Sequence, residues 1–195
     1  MKSRLCFATN NKHKLAEVAA LLSSHFHLVS LSDIGFNEEL AEDFHTLEEN
    51  SKQKAGFVYN KFHVPCFADD SGLEVEALNG EPGVSSAHYA GPQRNADDNM
   101  NLLLNNLSGH ENRNARFRTV ITLIENEDSI KQFEGVVEGI ILKEKKGSDG
   151  FGYDPIFQPN GFSKSLAELT LDEKNKISHR AKAVKKLVEY LNSLR

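Results

Sequence analysis

Two carboxylates stand side by side in Ala68-Asp69-Asp70-Ser71-Gly72, at the end of a short apolar run. Adjacent anions repel unless something positive faces them. A divalent cation is one such group, because Mg2+ takes one or two carboxylates, several waters and the oxygens of a substrate phosphate. Glu42, in the polar stretch Ala41-Glu42-Asp43, can supply a further ligand. The plainer alternative is a tight turn, since Asp, Ser and Gly are turn residues. Both readings stay open on this segment alone.

Three other segments carry candidate chemistry. Thr9-Asn10-Asn11-Lys12-His13-Lys14 joins an apolar run to a helical pattern. Unpaired N–H groups at a helix start suit a phosphate chain, and the lysines add full charges. It is not a Walker A loop, as the chain contains no Gly-Lys-Ser/Thr. Otherwise Asn10 or Asn11 simply caps the helix. Residues 147–157, Gly-Ser-Asp-Gly-Phe-Gly-Tyr-Asp-Pro-Ile-Phe, hold three glycines that allow positive φ and close approach of another group. That suits a loop wrapping a ring or a phosphate, with Phe151 or Tyr153 stacking on a base. Lys174-Asn175-Lys176-Ile177-Ser178-His179-Arg180 places donors at an expected helix start. Cations are unfavourable at that end unless an anion or a carbonyl-rich ring docks nearby.

The elements that must position these residues alternate. Leu5–Ala8 reads as a first strand, and Leu15, Val18, Ala19 and Leu22 predict a helix over Lys12–Ser24. His27–Leu31 reads as a second strand. Thr46-Leu47-Glu48-Glu49 is a capping box opening a helix to about Lys61, with Glu49 as the partner of Thr46. Pro65–Ala68 and Leu73–Ala77 read as separate strands around an Asp69–Gly72 turn. Asn95 caps a helix bearing Met100, Leu103, Leu104 and Leu107. Arg116–Ile124 and Ile130–Leu142 form a long hairpin, Pro155–Phe157 a short strand, and Ser178 caps a last helix with Ala181, Val184, Leu187, Val188 and Leu191 on its apolar face. The interleaved start and later hairpin predict an α/β fold with a mixed β-sheet.

The chain has 195 residues, 39% hydrophobic and 26% charged, which suits one globular domain. A net charge of −5 argues against wrapping nucleic acid, whose binders are usually basic. No apolar run reaches the length of a membrane span, and Met1–Ala8 is too short for a signal peptide. Cys6 and Cys66 read as buried thiols of a cytoplasmic protein. His25, His27 and His63 read as surface or packing residues.

Taken together, the segments resemble the inosine triphosphate pyrophosphatases, hydrolases of non-standard purine nucleoside triphosphates. The likeness runs from Phe7–Lys14 through Glu42, Glu49-Asn50, Phe67–Leu73 and Gly80–Ala87 to Gly150–Phe157, Ala167–Thr170, Lys174 and Ile177–Arg180. It implies a single two-lobed domain over residues 1–195, with the active site in the cleft between the lobes, and a homodimer. It implies Mg2+-dependent hydrolysis of ITP, dITP and XTP to the monophosphate and pyrophosphate, which cleanses the nucleotide pool.

By position, Asp70 is then the catalytic base and, with Glu42, a metal ligand. Thr9, Asn10, Asn11, Lys12, His13 and Lys14 contact the phosphates. Ser71, Phe151, Gly152, Tyr153, Asp154, Lys174, His179 and Arg180 contact the substrate. Donors from His179 and Arg180 would pair with the C6 oxygen of hypoxanthine or xanthine and meet another donor in adenine.

The chain departs from the family pattern around Glu42, where it reads Asp43-Phe44-His45-Thr46-Leu47. It also departs at Ser51, where Ala is common, and at Asn10, where Gly is common and Asn would supply positive φ. The alternative function is a purine nucleotide sensor without catalysis, for which an adjacent carboxylate pair brings no gain.

Overall fold

The computed structural model describes residues 3–22 and 26–194. Strand β1 (Ser3–Phe7) leads into helix α1 (Lys12–Leu22), and β2 (Phe26–Ser30) returns parallel to β1. Ser23 and Ser24 of the expected first helix, and His25, lie outside the described residues. Helix α2 (Leu47–Phe62) starts as expected, the Thr46 hydroxyl accepting from the Glu49 N–H. It leads to β3 (Cys66–Val75), which lies parallel to β1 with Cys6 opposite Cys66.

Then follow β4 (Pro82–Gly83), α3 (Ala96–Asn106), β5 (Asn114–Asn126), β6 (Ser129–Ile141), β7 (Phe157–Pro159), α4 (Leu171–Ile177) and α5 (His179–Ser193). Asn95 caps α3 through Asp98 N–H, as the sequence implied. The strand order is β2-β1-β3-β5-β6-β7, with β4 on β3 beside that path. Parallel β1, β2 and β3 share the sheet with antiparallel pairs β3–β4 and β6–β7, so the sheet is mixed.

The expected turn at Asp69–Gly72 does not exist. β3 runs unbroken through it, and Gly72 serves close approach instead of chain reversal. A Cβ on Gly72 would stand 2.5 Å from the Gly83 carbonyl oxygen, on the strand paired with it. The last segment also differs from expectation. Thr170 and Glu173 form a capping box that opens α4, so Lys174 and Lys176 lie in a last turn, where the helix dipole favours cations. Ser178, in extended conformation, is the C-cap of α4 and stands directly before α5, where the last helix was expected to start.

The chain divides into two compact units. The first comprises Met1–Asp70, Thr119–Gly135 and Arg180–Arg195, and the second Ser71–Arg118 and Val136–His179. In the first, strand residues alternate between two cores. Leu5, Phe7, Phe67, Ile121 and Leu123 pack with Val18 and Leu22 of α1 and Ala183, Val184 and Leu187 of α5. Cys6, Ala8, Cys66, Ala68 and Ile124 pack with Ala55 and Val58 of α2. Both cysteines are free and buried, and desolvation pushes their thiols up, to about 11 for Cys6 and about 12 for Cys66. In the second unit, Leu73, Val75, Phe117, Val137 and Ile141 pack with Leu103 of α3, Tyr153, Ile156 and Phe157.

Candidate active site

Strand alternation decides where the two carboxylates go. Successive residues face opposite sides of a strand. Asp69 therefore follows Phe67 toward α1 and α5, and Asp70 follows Ala68 toward α2. Their partners agree. Asp69 Oδ1 accepts from Lys14 Nζ of α1 at 3.0 Å, and Asp69 Oδ2 accepts from Arg180 Nε of α5 at 3.2 Å. Asp70 Oδ1 accepts from Lys54 Nζ of α2 at 3.3 Å. Lys54 also donates to Glu42, and Arg180 also donates to Glu17.

All of this lies within the first unit and is largely buried, with Asp69, Glu17 and Arg180 no more than 3% exposed. Burial alone would raise the Asp69 carboxyl, but Lys14 and Arg180 hold it well below the usual carboxylate range. Burial pushes the Asp70 carboxyl up, beyond what Lys54 takes off. The Lys54 ammonium resists its own burial because Asp70 and Glu42 face it. Lys14 does not: burial lowers its pKa, since it shares Asp69 with Arg180 and lies near Lys54.

Asp70 Oδ2 is buried without a hydrogen-bond partner. A buried acceptor left so is costly, and a hard cation satisfies it. Glu42, whose side chain is 30% exposed beside Lys54, is within the same cluster. Among the described residues no group of three or more His, Cys, Asp or Glu could hold a metal. Two carboxylates nevertheless fit Mg2+, which keeps its waters and takes phosphate oxygens.

The Thr9–Lys14 segment is a built helix start. Asn11 Oδ1 accepts from the N–H groups of His13 and Lys14, and Thr9 Oγ1 accepts from Asn11 N–H. Asn11 thus caps α1, as the plainer reading of that segment had it. Asn10 is not among the residues with positive φ; its side-chain amide donates to the Glu38 carbonyl instead. Lys12 and His13 are exposed, and Lys14 is the lysine drawn inward.

A second group lies within the second unit. Asp154 Oδ2 accepts from Phe151 N–H at 2.8 Å and from Lys174 Nζ at 2.7 Å, and that ammonium sits 4.7 Å from the Phe151 ring centroid. Asp154 and Lys174 are each 3% exposed and form a buried pair that shapes the loop. Gly150 has no room for a Cβ, because Asp154 Oδ2 would lie 2.2 Å from it, and a Cβ on Gly147 would stand 2.3 Å from the Ala167 carbonyl oxygen. The close approach read from these glycines is made by the protein's own chain. Gly152 is in the left-handed region with open space beside it.

Of the two aromatics, Tyr153 is core, its hydroxyl donating to the Ser86 carbonyl, whereas Phe151 is half-buried. Ser71 is half-buried on β3. The His179 ring lies flat on Phe117, 4.7 Å between centroids at 11°.

The expected residues thus fall into two groups, and Arg180 is tied to Glu17 and Asp69 in the first while His179 belongs to the second. Sequence reasoning missed Glu17, although its i+3 spacing from Lys14 puts both on one helical face. Lys54 belongs to the family likeness near Glu42, but its spacing gives no sign that it joins Glu42 to Asp70. Sequence reasoning also passed over the Thr-x-x-Glu box at Thr170, a signal plain in the sequence.

The sequence pattern of the Ham1 family matches residues 5–190. A dITP/XTP pyrophosphatase of Flavobacterium johnsoniae is 51% identical over 191 residues, which cover 97% of this chain and 98% of that protein. One of Bacillus subtilis is 46% identical over 189 residues, covering 95% of this chain and 96% of that protein. Among solved structures, the Staphylococcus aureus Ham1 protein superposes with a TM-score of 0.90 at 36% identity, covering 99% of this chain and all of that one. A dITP/XTP pyrophosphatase of Mycobacterium abscessus superposes with a TM-score of 0.77 at 40% identity, covering 94% and 98%.

Proposed function

The chain belongs to the Ham1 family, and from that membership we propose that it is a dITP/XTP pyrophosphatase, hydrolysing non-standard purine nucleoside triphosphates to the monophosphate and pyrophosphate. The observation that carries this reading to a mechanism is the buried, unpartnered Asp70 Oδ2 beside Lys54 and Glu42.

A water aligned by Asp70 attacks the α-phosphorus in line. Asp70 takes its proton, the new P–O bond forms, and the bond to the bridging oxygen breaks as pyrophosphate leaves. Asp70 keeps one carboxylate oxygen unpartnered and so has a lone pair to offer the water. Asp69 has both oxygens engaged by cations, so its role is to hold Lys14 and Arg180 in place. Asp70 and Glu42 are the residues that would hold Mg2+, which when bound neutralises charge on the phosphate oxygens. Lys14 and the start of α1 receive the outer phosphates.

On the nucleoside side, Phe151 offers a stacking face, and its cation-capped ring is fixed by Asp154. The donor that tests the C6 oxygen is assigned to His179, since the Arg180 guanidinium is committed to Glu17 and Asp69. Tyr153, Asp154 and Lys174 support this loop from within. Dependence on Mg2+, a homodimer, a cytoplasmic location and a single two-lobed domain belong to the same reading. Among the described residues no helix is long and apolar enough to cross a membrane.

Incubation with ITP, dITP or XTP and Mg2+ tests the proposal. The expected products are the monophosphate and pyrophosphate; the diphosphate with orthophosphate would refute it.

A further inference from the structure

Directly after Glu42, at Asp43 and Phe44, the chain is held by side chains of α2. Asp43 N–H donates to Gln53 Oε1 at 3.0 Å, and Gln53 Nε2 donates back to Asp43 Oδ2 at 2.6 Å. One residue on, Phe44 N–H donates to Asn50 Oδ1 at 2.9 Å, and Asn50 Nδ2 donates to the Phe44 carbonyl at 3.1 Å. Asn50 is 2% exposed, so its amide has both ends satisfied in a buried place and cannot turn without losing both bonds.

These four bonds fix the backbone on the residues directly after Glu42. The same helix carries Lys54, one residue after Gln53, and Lys54 donates to the Glu42 carboxylate. Helix α2 therefore both sets the position of Glu42 and presents the cation that it meets. An exposed loop residue otherwise loses conformational freedom when it is recruited to a ligand. Here that loss is already met by Asn50 and Gln53.

We propose that the Asp43–Gln53 pair, supported by Asn50, is the positioning device that preorganises Glu42 as a ligand for the divalent cation. The inference rests on the reading of Glu42 as a metal ligand. Gln53 and Asp43 are positioning residues and touch neither substrate nor cation. Partners of this kind, one shell removed from a metal, typically change affinity by about 10–100-fold when lost. An exposed loop pair belongs at the lower end.

The test is Mn2+ titration of the full chain without nucleotide, followed by electron paramagnetic resonance, on parent and variants. Gln53→Met keeps the net charge and removes both bonds to Asp43; it should weaken Mn2+ binding about tenfold with an unchanged melting temperature. The double variant Asp43→Asn/Gln53→Glu also keeps the net charge and can rebuild both bonds with one donor and acceptor exchanged, so it should restore parent affinity. Unchanged affinity in Gln53→Met, with Glu42→Gln weakened, overturns the clamp and leaves Glu42 a ligand. Equal weakening in Gln53→Met and the double variant also overturns it, because the pair would then not be the agent. Unchanged affinity in Glu42→Gln removes the ligand assignment itself, and the clamp with it.

Discussion

Asp69 and Asp70 are the same side chain one position apart, and they end in opposite circumstances. Asp69 lies between Lys14 and Arg180 with both oxygens bonded, whereas Asp70 keeps one oxygen unpartnered. Folding favours the charged form of Asp69 and disfavours that of Asp70. Their asparagine variants should therefore separate stability from chemistry. Asp69→Asn leaves buried cations short of an anion and should destabilise the protein by about 3–5 kcal/mol. Because the folded pKa of Asp69 is depressed, its contribution is complete above the unfolded carboxyl value of about 4. It is lost as the pH falls through the folded value. The gap in stability between parent and Asp69→Asn should thus close as the pH drops below about 4. Asp70→Asn should leave the melting temperature unchanged or slightly raised and cut kcat by about 10²–10⁴-fold. Thermal unfolding across pH and steady-state kinetics read both, and a stable Asp69→Asn beside an active Asp70→Asn would reverse the roles. The residue types marked this pair as chemically special, and only the family likeness singled out Asp70, because the physical separation depends on which helix covers each face of β3.

At the scale of elements, the signals that were legible were local ones. The caps at Thr46 and Asn95 and the apolar faces of the helices rest on contacts within a few residues of each other, and they hold in the structure. Asp69–Gly72 was misread because turn chemistry is also local, while what overrides it comes from far along the chain. Lys14, Lys54 and Arg180 neutralise the carboxylates, and Gly83 packs against Gly72. The crowding at Gly147 and Gly150 has the same distant origin, since Ala167 and Asp154 are the groups that approach them. Gly72 gives the sharpest test of an unbroken β3. A turn glycine would tolerate alanine if its φ were ordinary, and Gly72 is not among the glycines with positive φ. In the strand, the new methyl meets backbone of β4, which cannot move aside as a flexible side chain would. Gly72→Ala should cost about 1–3 kcal/mol, as overpacking does. Urea denaturation measures it, and an unchanged midpoint would argue for an open turn.

The whole molecule carries a net charge of −5, yet its proposed substrate is a polyanion. Long-range attraction cannot account for binding under that charge. Recognition has to come from short-range charge placement, and Lys14, Lys54 and Arg180 are gathered within one buried cluster for which Asp69, Asp70, Glu17 and Glu42 provide the balance. Adding a triphosphate alone would bring excess negative charge to this cluster; adding it with Mg2+ would bring far less. Ligand binding should therefore raise the melting temperature only when nucleotide and Mg2+ are present together. A ligand that binds only the native state at 100 times its dissociation constant stabilises by about 2.7 kcal/mol, which is ample for a thermal-shift measurement. A non-hydrolysable ITP analogue with Mg2+ should give that shift, and the same analogue with a chelator should give little. The matching ATP analogue with Mg2+ has identical phosphates, so any deficit it shows belongs to the base. On the proposed roles it should stabilise far less, because its C6 amino group meets the donor of His179 where the oxygen of hypoxanthine accepts. Equal shifts for the two analogues would mean that the purine edge is not read at binding. Selection would then have to act on the chemical step, at Asp70.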